Sequence, residues 1–226
     1  MFYFDWTMIL MLPGLLLGLW AQSKVNSTYQ KYSRVPVRSG MTAAEAAERI
    51  LRQNGAGDVM IQQTGGHLTD HYDPRSNVLR LSSGVCHSSS VAALGIAAHE
   101  AGHAIQQAEQ YPFLKLRTAV APVVNIGSSL SWPIFFLGFL FSWEPLMTAG
   151  IVLFSAVVLF TLITLPVEFD ASRRALKMLS AGGYLTETEL GGAKQVLTAA
   201  ALTYVASFVS AAMQLLRLLV LARRRD

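Results

Sequence analysis

Charge is what this sequence lacks most. Charged residues make up 14% of its 226 residues and hydrophobic residues 52%, whereas an ordinary soluble domain is about 25% charged. Residues 6–23 and 195–216 contain no charged side chain, and residues 119–167 contain only Glu144. Apolar runs of about 18 residues or more are long enough to cross roughly 30 Å of hydrocarbon. The composition therefore excludes an ordinary soluble protein, a disordered protein and a disulfide-stapled secreted protein, and it indicates an integral membrane protein.

The first apolar stretch lacks the features of a cleaved secretory signal. Such a signal begins with positive charge and ends at small residues, but here only Asp5 precedes the apolar run, and the sequence Leu19-Trp20-Ala21 is bulky. We therefore expect a retained anchor. The chain also has a single cysteine, Cys86, which excludes an internal disulfide and is compatible with a reducing cytoplasm.

The basic residues predict how the chain crosses the membrane. Lys24, Lys31, Arg34 and Arg38 follow the anchor, so the positive-inside rule places residues 22–117 in the cytoplasm and the first residue outside. The sequence thus predicts a multi-pass protein of the cell membrane, in a bacterium the inner membrane, with its polar module on the cytoplasmic side.

The later apolar runs predict a helical hairpin and one further helix. The polar turn Ser142-Trp143-Glu144-Pro145 divides the long run into spans near residues 120–141 and 146–165. The last run, near residues 196–221, is long enough to be a fourth span. A full crossing would leave Arg223, Arg224 and Arg225 outside, against the positive-inside rule, so an interfacial helix stays open as the alternative.

The polar module between anchor and hairpin predicts a mixture of helices and strands. Residues 41–54 have apolar side chains at helical spacing and are followed by Gly55, a helix stop signal. Residues 58–63 and 77–82 alternate Val, Ile and Leu with polar residues, which predicts a small strand pair. We therefore expect an α+β membrane protein, mainly helical, with three to four transmembrane helices.

The segment with the clearest chemistry is a predicted helix over residues 88–107, with Ser88 or Ser89 as its N-cap. It contains His99, Glu100 and His103. On a helix, residues i and i+4 lie on the same face, so both imidazoles can bind one metal ion while the glutamate acts on a water beside it. The pattern His-Glu-x-x-His is typical of zinc peptidases.

Two histidines leave a catalytic zinc one protein ligand short. His67, His71 and His87 are candidates for the third ligand, and so is a carboxylate. Glu168 stands out because it follows the third apolar span directly. The alternative for Glu168 is an ion pair with Arg173 or Arg174.

Three segments together resemble the YugP-type membrane zinc metallopeptidases, and more distantly the HtpX and CAAX-prenyl endopeptidase group of gluzincins. They are HSSSVAALGIAAHEAGHAIQ (residues 87–106), GHLTDHYDP (residues 66–74) and VEFDASRRA (residues 167–175). The resemblance covers nearly the whole chain. It implies a zincin-like catalytic module with one Zn²⁺ per chain, with His99, His103 and Glu168 as the zinc ligands and Glu100 as the general base.

The sequence departs from the distant relatives at one position. They have an Asp four residues after the ligand Glu, where this chain has Ser172, and Asp170 is two residues away on a different helix face. The residue that orients a ligand imidazole is therefore open. The donor for the oxyanion is open as well, with His67, His71 and Tyr72 as candidates.

The resulting expectation is a membrane-embedded zinc endopeptidase that hydrolyses protein or peptide substrates near the cytoplasmic face. The competing interpretations are a membrane protein with a structural metal site and, less favoured, a transporter. Nucleic-acid binding is not expected, because the basic residues cluster at membrane boundaries. The oligomeric state is not encoded in any motif. The expected organisation is an anchor (1–21), a cytoplasmic catalytic module (22–117), a transmembrane hairpin (118–166), a Glu-bearing helix and loop (167–194) and a C-terminal transmembrane or interfacial helix (195–226).

Overall fold

A computed structural model describes residues 6–223; Asp5, Arg224 and Arg225, used above, lie outside this range. The described chain is mainly helical and includes one small sheet, as the sequence patterns predicted. Its elements are a 3₁₀ turn (Trp6–Met11), α1 (Leu12–Tyr32), α2 (Ala43–Gln53), β1 (Met60–Thr64), β2 (His71–Asp73), β3 (Val78–Ser82), α3 (Ser83–Cys86), α4 (Val91–Ala108), α5 (Pro112–Phe141), α6 (Glu144–Ala181) and α7 (Glu187–Arg223).

Four helical segments of the described chain are long and apolar enough to cross a membrane. They contain 27, 30, 38 and 37 residues, and a helix of 27 residues is about 40 Å long at 1.5 Å per residue. The four are Trp6–Tyr32, Pro112–Phe141, Glu144–Ala181 and Glu187–Arg223. The last of them contains the predicted fourth apolar run and is long and apolar enough to be a membrane span. The orientation of the chain in the membrane stays a prediction.

The turn predicted at residues 142–145 divides α5 from α6. Ser142 has a left-handed backbone with φ of 50°, and the amide of Trp143 donates to the carbonyl oxygen of Gly138 at 2.8 Å. The two helices meet closely beside this turn, since a Cβ on Gly150 would lie 2.7 Å from atoms of Phe135. The hairpin is therefore held by side-by-side packing as well as by its short connection.

Among the described residues, the chain divides into two compact units. One contains residues 6–22, 115–166 and 202–223, and the other contains residues 23–114 and 167–201. The second unit includes the sheet, the helix α4 and the segment that begins just before Glu168. All three ligand candidates on His99, His103 and Glu168 thus belong to the same unit.

The sheet has the order β1-β3-β2, with β1 parallel and β2 antiparallel to β3. The sequence predicted β1 and β3 within about two residues, but it did not predict the strand between them. Strand β2 has only three residues, His-Tyr-Asp, which is too short to show an alternating pattern. It occupies the sheet edge next to β3.

Helix α4 is the centre of the second unit's core. Its buried side chains include Leu94, Ala97 and Ala101, which pack with residues of α2, β3 and α6 in one hydrophobic cluster. The helix begins at Val91, three residues after the predicted start at residue 88, because the hydroxyl of Ser90 caps it by accepting from the amide of Ala93 at 3.3 Å. The prediction of Ser88 or Ser89 as N-cap was wrong, and Ser88 instead donates its hydroxyl to Ser90.

Candidate metal centre

Helix α4 presents the motif residues as the i, i+4 rule predicts. The rings of His99 and His103 lie on the same side of the helix, with centroids 4.7 Å apart and planes at 83°. Both side chains are 13% exposed, so they line a surface that is accessible but mostly enclosed. A pair of imidazoles in this arrangement can offer two nitrogen ligands to one ion.

Glu168 of α6 completes a group of three ligand atoms. Its Oε2 lies 3.3 Å from Nε2 of His99 and 3.4 Å from Nε2 of His103, and its side chain is 3% exposed. His99, His103 and Glu168 form the group of His, Cys, Asp and Glu side chains within residues 6–223 whose ligand atoms converge closely enough for a metal. Glu168, one of several candidates for the third ligand in the sequence, thus lies against both imidazoles, and its role as a zinc ligand stays a prediction.

The distances from Glu168 to the two imidazoles fit a tetrahedral metal. Zinc bonds to His nitrogen and carboxylate oxygen are about 2.0–2.1 Å long, so two ligands of a tetrahedron lie about 3.3 Å apart. The observed separations of 3.3 and 3.4 Å match that value. Two imidazole nitrogens and one carboxylate oxygen are also a donor set that zinc favours. The three residues therefore fit the ion that the resemblance implies.

Glu100 is fixed by the edge strand of the sheet. Its Oε2 accepts a hydrogen bond from the backbone amide of Tyr72 in β2 at 3.1 Å. Burial raises the pKa of the Glu100 carboxyl, and the nearby carboxylates of Glu168 and Asp70 act in the same direction, while the two imidazoles oppose the shift. A raised pKa makes a carboxylate a stronger proton acceptor.

The outward nitrogen of each ligand imidazole also has a partner. Nδ1 of His99 lies 3.2 Å from the hydroxyl of Ser172, so the residue that replaces the relatives' Asp does contact a ligand. Nδ1 of His103 lies 3.0 Å from Oε1 of Gln106. Asp170 was expected on an unrelated helix face, but it binds the amide nitrogen of Gln106 at 2.9 Å and so reaches His103 indirectly.

The alternative ligands stand elsewhere. His67 packs edge-on against Tyr29 with centroids 5.3 Å apart. Nδ1 of His71 is 2.8 Å from the carbonyl oxygen of Thr69, and Nε2 of His87 is 3.1 Å from Oε1 of Gln63. None of the three histidines belongs to the converging group found within residues 6–223.

Two of the three candidate oxyanion donors, His67 and His71, are histidines with the contacts just described, and the third is Tyr72. The hydroxyl of Tyr72 donates to the side chain of Asn77 at 2.8 Å, so the phenol is held by the turn after β2. The backbone amide of Tyr72 donates to Glu100. The role of oxyanion donor stays unassigned for His67, His71 and Tyr72.

The arginines that follow Glu168 bind a different carboxylate. Arg174 donates to Asp170 at 2.5 Å and to Glu109 at 2.6 Å, and Arg173 also donates to Asp170. These pairs tie the beginning of the polar part of α6 to the end of α4.

The sequence analysis did not single out Gln106, although its position three residues after His103 places it on the same helix face.

Comparisons with known proteins show the family of this chain. Residues 7–223 match the sequence model of a family described as "Putative neutral zinc metallopeptidase". The chain is 46% identical over 212 residues, 94% of each chain, to "Putative membrane protease YugP" of Bacillus subtilis (strain 168). No solved structure matches the chain. With nearly its whole length covered by the family's sequence model, the chain belongs to the "putative neutral zinc metallopeptidase" family.

Proposed function

We propose that the protein is a zinc-dependent endopeptidase of the cell membrane that hydrolyses peptide bonds of protein substrates. The observation that carries the proposal is the convergence of Nε2 of His99, Nε2 of His103 and Oε2 of Glu168 beside a carboxylate, Glu100, that a backbone amide holds in place. A purely structural metal site needs no such second carboxylate. The description of the family and the name of the Bacillus subtilis relative support the same activity.

His99, His103 and Glu168 would hold the zinc ion, in the ligand pattern of a gluzincin. Bound zinc supplies Lewis acidity, which polarises a carbonyl and makes water easier to deprotonate. Three protein ligands would leave the fourth position of a tetrahedron for water and substrate. Glu168 is well placed to keep this arrangement, because its buried carboxylate faces both imidazoles at similar distances.

Glu100 would act as the general base and then as the general acid. Because its Oε2 accepts from the Tyr72 amide, we assign the proton transfer to Oε1. This oxygen takes a proton from the attacking water and delivers it to the nitrogen of the leaving amine as the peptide bond breaks. The amide of Tyr72 keeps the carboxylate from rotating away between the two transfers.

The edge strand β2 supports a substrate with an extended backbone. In an antiparallel pair, the amide and carbonyl of one residue point to the same side of its strand. The Tyr72 amide points to Glu100, so the carbonyl oxygen of Tyr72 points to the same side of β2. A substrate peptide that donates a backbone amide to this carbonyl oxygen would lie beside Glu100.

The position of Glu168 supports catalysis near the bilayer. Glu168 comes two residues after Pro166, where the apolar run of α6 gives way to the polar sequence EFDASRR. Substrates would be membrane proteins or unfolded segments presented at the membrane surface. The cytoplasmic side is favoured by the basic residues that follow the anchor and by Arg173, Arg174 and Lys177.

The test is hydrolysis of casein by the detergent-purified protein before and after metal removal. We expect activity in the zinc-loaded protein, loss of activity with a chelator and recovery when zinc is returned. Zinc bound at one ion per chain with no hydrolysis of casein or of an unfolded membrane protein would favour the structural metal site. Hydrolysis that continues after complete removal of metal would contradict the proposal.

A further inference from the structure

Gln106 has an orientation that its surroundings determine completely. Its side chain is fully buried, and its Nε2 donates to the carbonyl oxygen of Val167 and to Oδ2 of Asp170, both at 2.9 Å. A carbonyl only accepts hydrogen bonds. Asp170 accepts from Arg173 and Arg174 as well, so it is ionised and also only accepts. The amide nitrogen must therefore face these two oxygens, and a flipped amide is excluded.

This orientation fixes the proton on His103. With its nitrogen directed to Val167 and Asp170, Gln106 presents Oε1 to Nδ1 of His103 at 3.0 Å. An amide oxygen only accepts, so Nδ1 of His103 must carry the hydrogen. In the neutral ring Nε2 then has its lone pair exposed, and that nitrogen is the one beside Glu168.

The same amide also holds the two ligand-bearing helices in register. Gln106 belongs to α4, while Val167 and Asp170 lie on either side of Glu168 in α6. Arg174 extends the connection by binding Asp170 and, on α4's end, Glu109. A shift of α6 along α4 that moves Glu168 would therefore also break the hydrogen bonds of Gln106.

We propose that Gln106 is a positioning residue of the metal centre, anchored by Asp170, which presets the metal-binding tautomer of His103 and the position of Glu168. The inference rests on the proposed zinc site. His99 lacks an equivalent device, because the hydroxyl of Ser172 near its Nδ1 can both donate and accept. Residues that hydrogen-bond to metal ligands in this way typically change metal affinity about 10–100-fold when replaced.

The experiment measures zinc affinity of the detergent-purified protein by competition with a chromophoric chelator, and the visible absorption of the cobalt(II)-loaded protein. Gln106→Leu should weaken zinc binding about 10–100-fold and alter the cobalt spectrum. Gln107→Leu makes the same chemical change at the exposed neighbouring position and should leave both unchanged. Circular dichroism of the metal-free proteins reports whether each variant is folded.

A pair of polar variants tests the role while keeping an oxygen acceptor beside Nδ1 of His103. Gln106→Glu places a carboxylate beside Asp170 and should weaken zinc binding through repulsion. Adding Asp170→Asn supplies one donor, so the introduced carboxylate can accept from the new amide and from His103, although the Val167 carbonyl oxygen still has no donor there. We expect the double variant to recover part of the lost zinc affinity and to bind zinc more tightly than Gln106→Glu.

The outcomes separate this inference from the proposed function. A wild-type protein that binds no zinc would overturn the proposed function and this inference together. A wild type that binds zinc, with Gln106→Leu folded and equally tight, would overturn only the role of Gln106. If Gln106→Leu does not fold, the polar pair decides, and a double variant no better than Gln106→Glu overturns the role.

Discussion

The carbonyl oxygen of Ala171 lies 2.9 Å from the point where a Cβ on Gly102 would stand. Gly102 is the residue before His103 in α4, and Ala171 follows Glu168 by three residues in α6, so the two helices of the metal centre touch backbone to backbone at this point. A contact this close tolerates no side chain. It sets the distance at which Glu168 meets the two imidazoles.

Gly102→Ala is therefore expected to damage the site although it improves helix propensity. Overpacking at a buried contact destabilises by about 1–3 kcal/mol, which exceeds the roughly 0.8–1 kcal/mol that replacing a helical Gly with Ala contributes. The variant should unfold at a lower temperature and bind zinc more weakly. Thermal unfolding and chelator competition measure the two effects.

Gly95→Ala is the matched control on the same helix. A Cβ at Gly95 would lie 3.4 Å from the side chain of Ala193, which is tight but not a collision with backbone. It should keep zinc affinity and retain or raise stability. Equal effects of the two substitutions on zinc affinity would show that the contact with Ala171 does not set the ligand geometry.

Glu100→Gln should abolish hydrolysis while leaving zinc bound. The replacement keeps a carbonyl oxygen to accept from the Tyr72 amide, so the geometry survives, but an amide cannot take a proton from water. Loss of general acid–base catalysis lowers rates about 10²–10⁴-fold. Zinc content and casein hydrolysis, measured on the same preparation, check both halves; substantial remaining activity at full zinc content would show that another group takes the proton.

Acid should weaken the turn after β2 through Asp73. Hydrogen bonds from Ser76, Arg80 and the amide of Arg75 favour its carboxylate and lower the pKa of Asp73 in the folded protein. A lowered folded pKa contributes stability that is present above the unfolded value of about 3.9 and is lost as pH falls through the folded value. The difference in unfolding temperature between wild type and Asp73→Asn should therefore be largest near neutral pH.

The pH profile of that difference is the decisive comparison. The difference in unfolding temperature should shrink steadily as pH is lowered from about 5 toward 2. Protonation of Asp73 removes its negative charge from the wild type, and the substitution has already removed that charge from the variant. A difference that stays constant over this range would show that the Asp73 carboxylate does not stabilise the folded turn.

The sequence predicted what depends on period and spacing. The i, i+4 histidines, the hairpin turn at residues 142–145 and the long apolar helices all follow from local patterns, and each is present in the described chain. The order of the elements made Glu168 a candidate for the third ligand, but it left His67, His71 and His87 as alternatives. The resemblance to known peptidases narrowed that choice, and the convergence of ligand atoms agrees with it.

What the sequence did not predict depends on contacts between distant residues. Strand β2 is too short to show periodicity, yet its Tyr72 amide holds Glu100 across 28 positions. The sequence left open which residue orients a ligand imidazole, and it gave no sign that Gln106 bridges Asp170 to His103. Such links depend on side chains from two helices that approach closely, which no pattern within either helix reveals.

The most direct test of the central claim is the zinc content of the purified wild type beside Glu168→Ala, with Glu187→Ala, an exposed carboxylate on α7, as control. We predict close to one zinc per chain in the wild type and in Glu187→Ala, and far less in Glu168→Ala, because two imidazoles alone leave the ion short of a protein ligand. Full zinc content in Glu168→Ala would contradict the assigned metal centre.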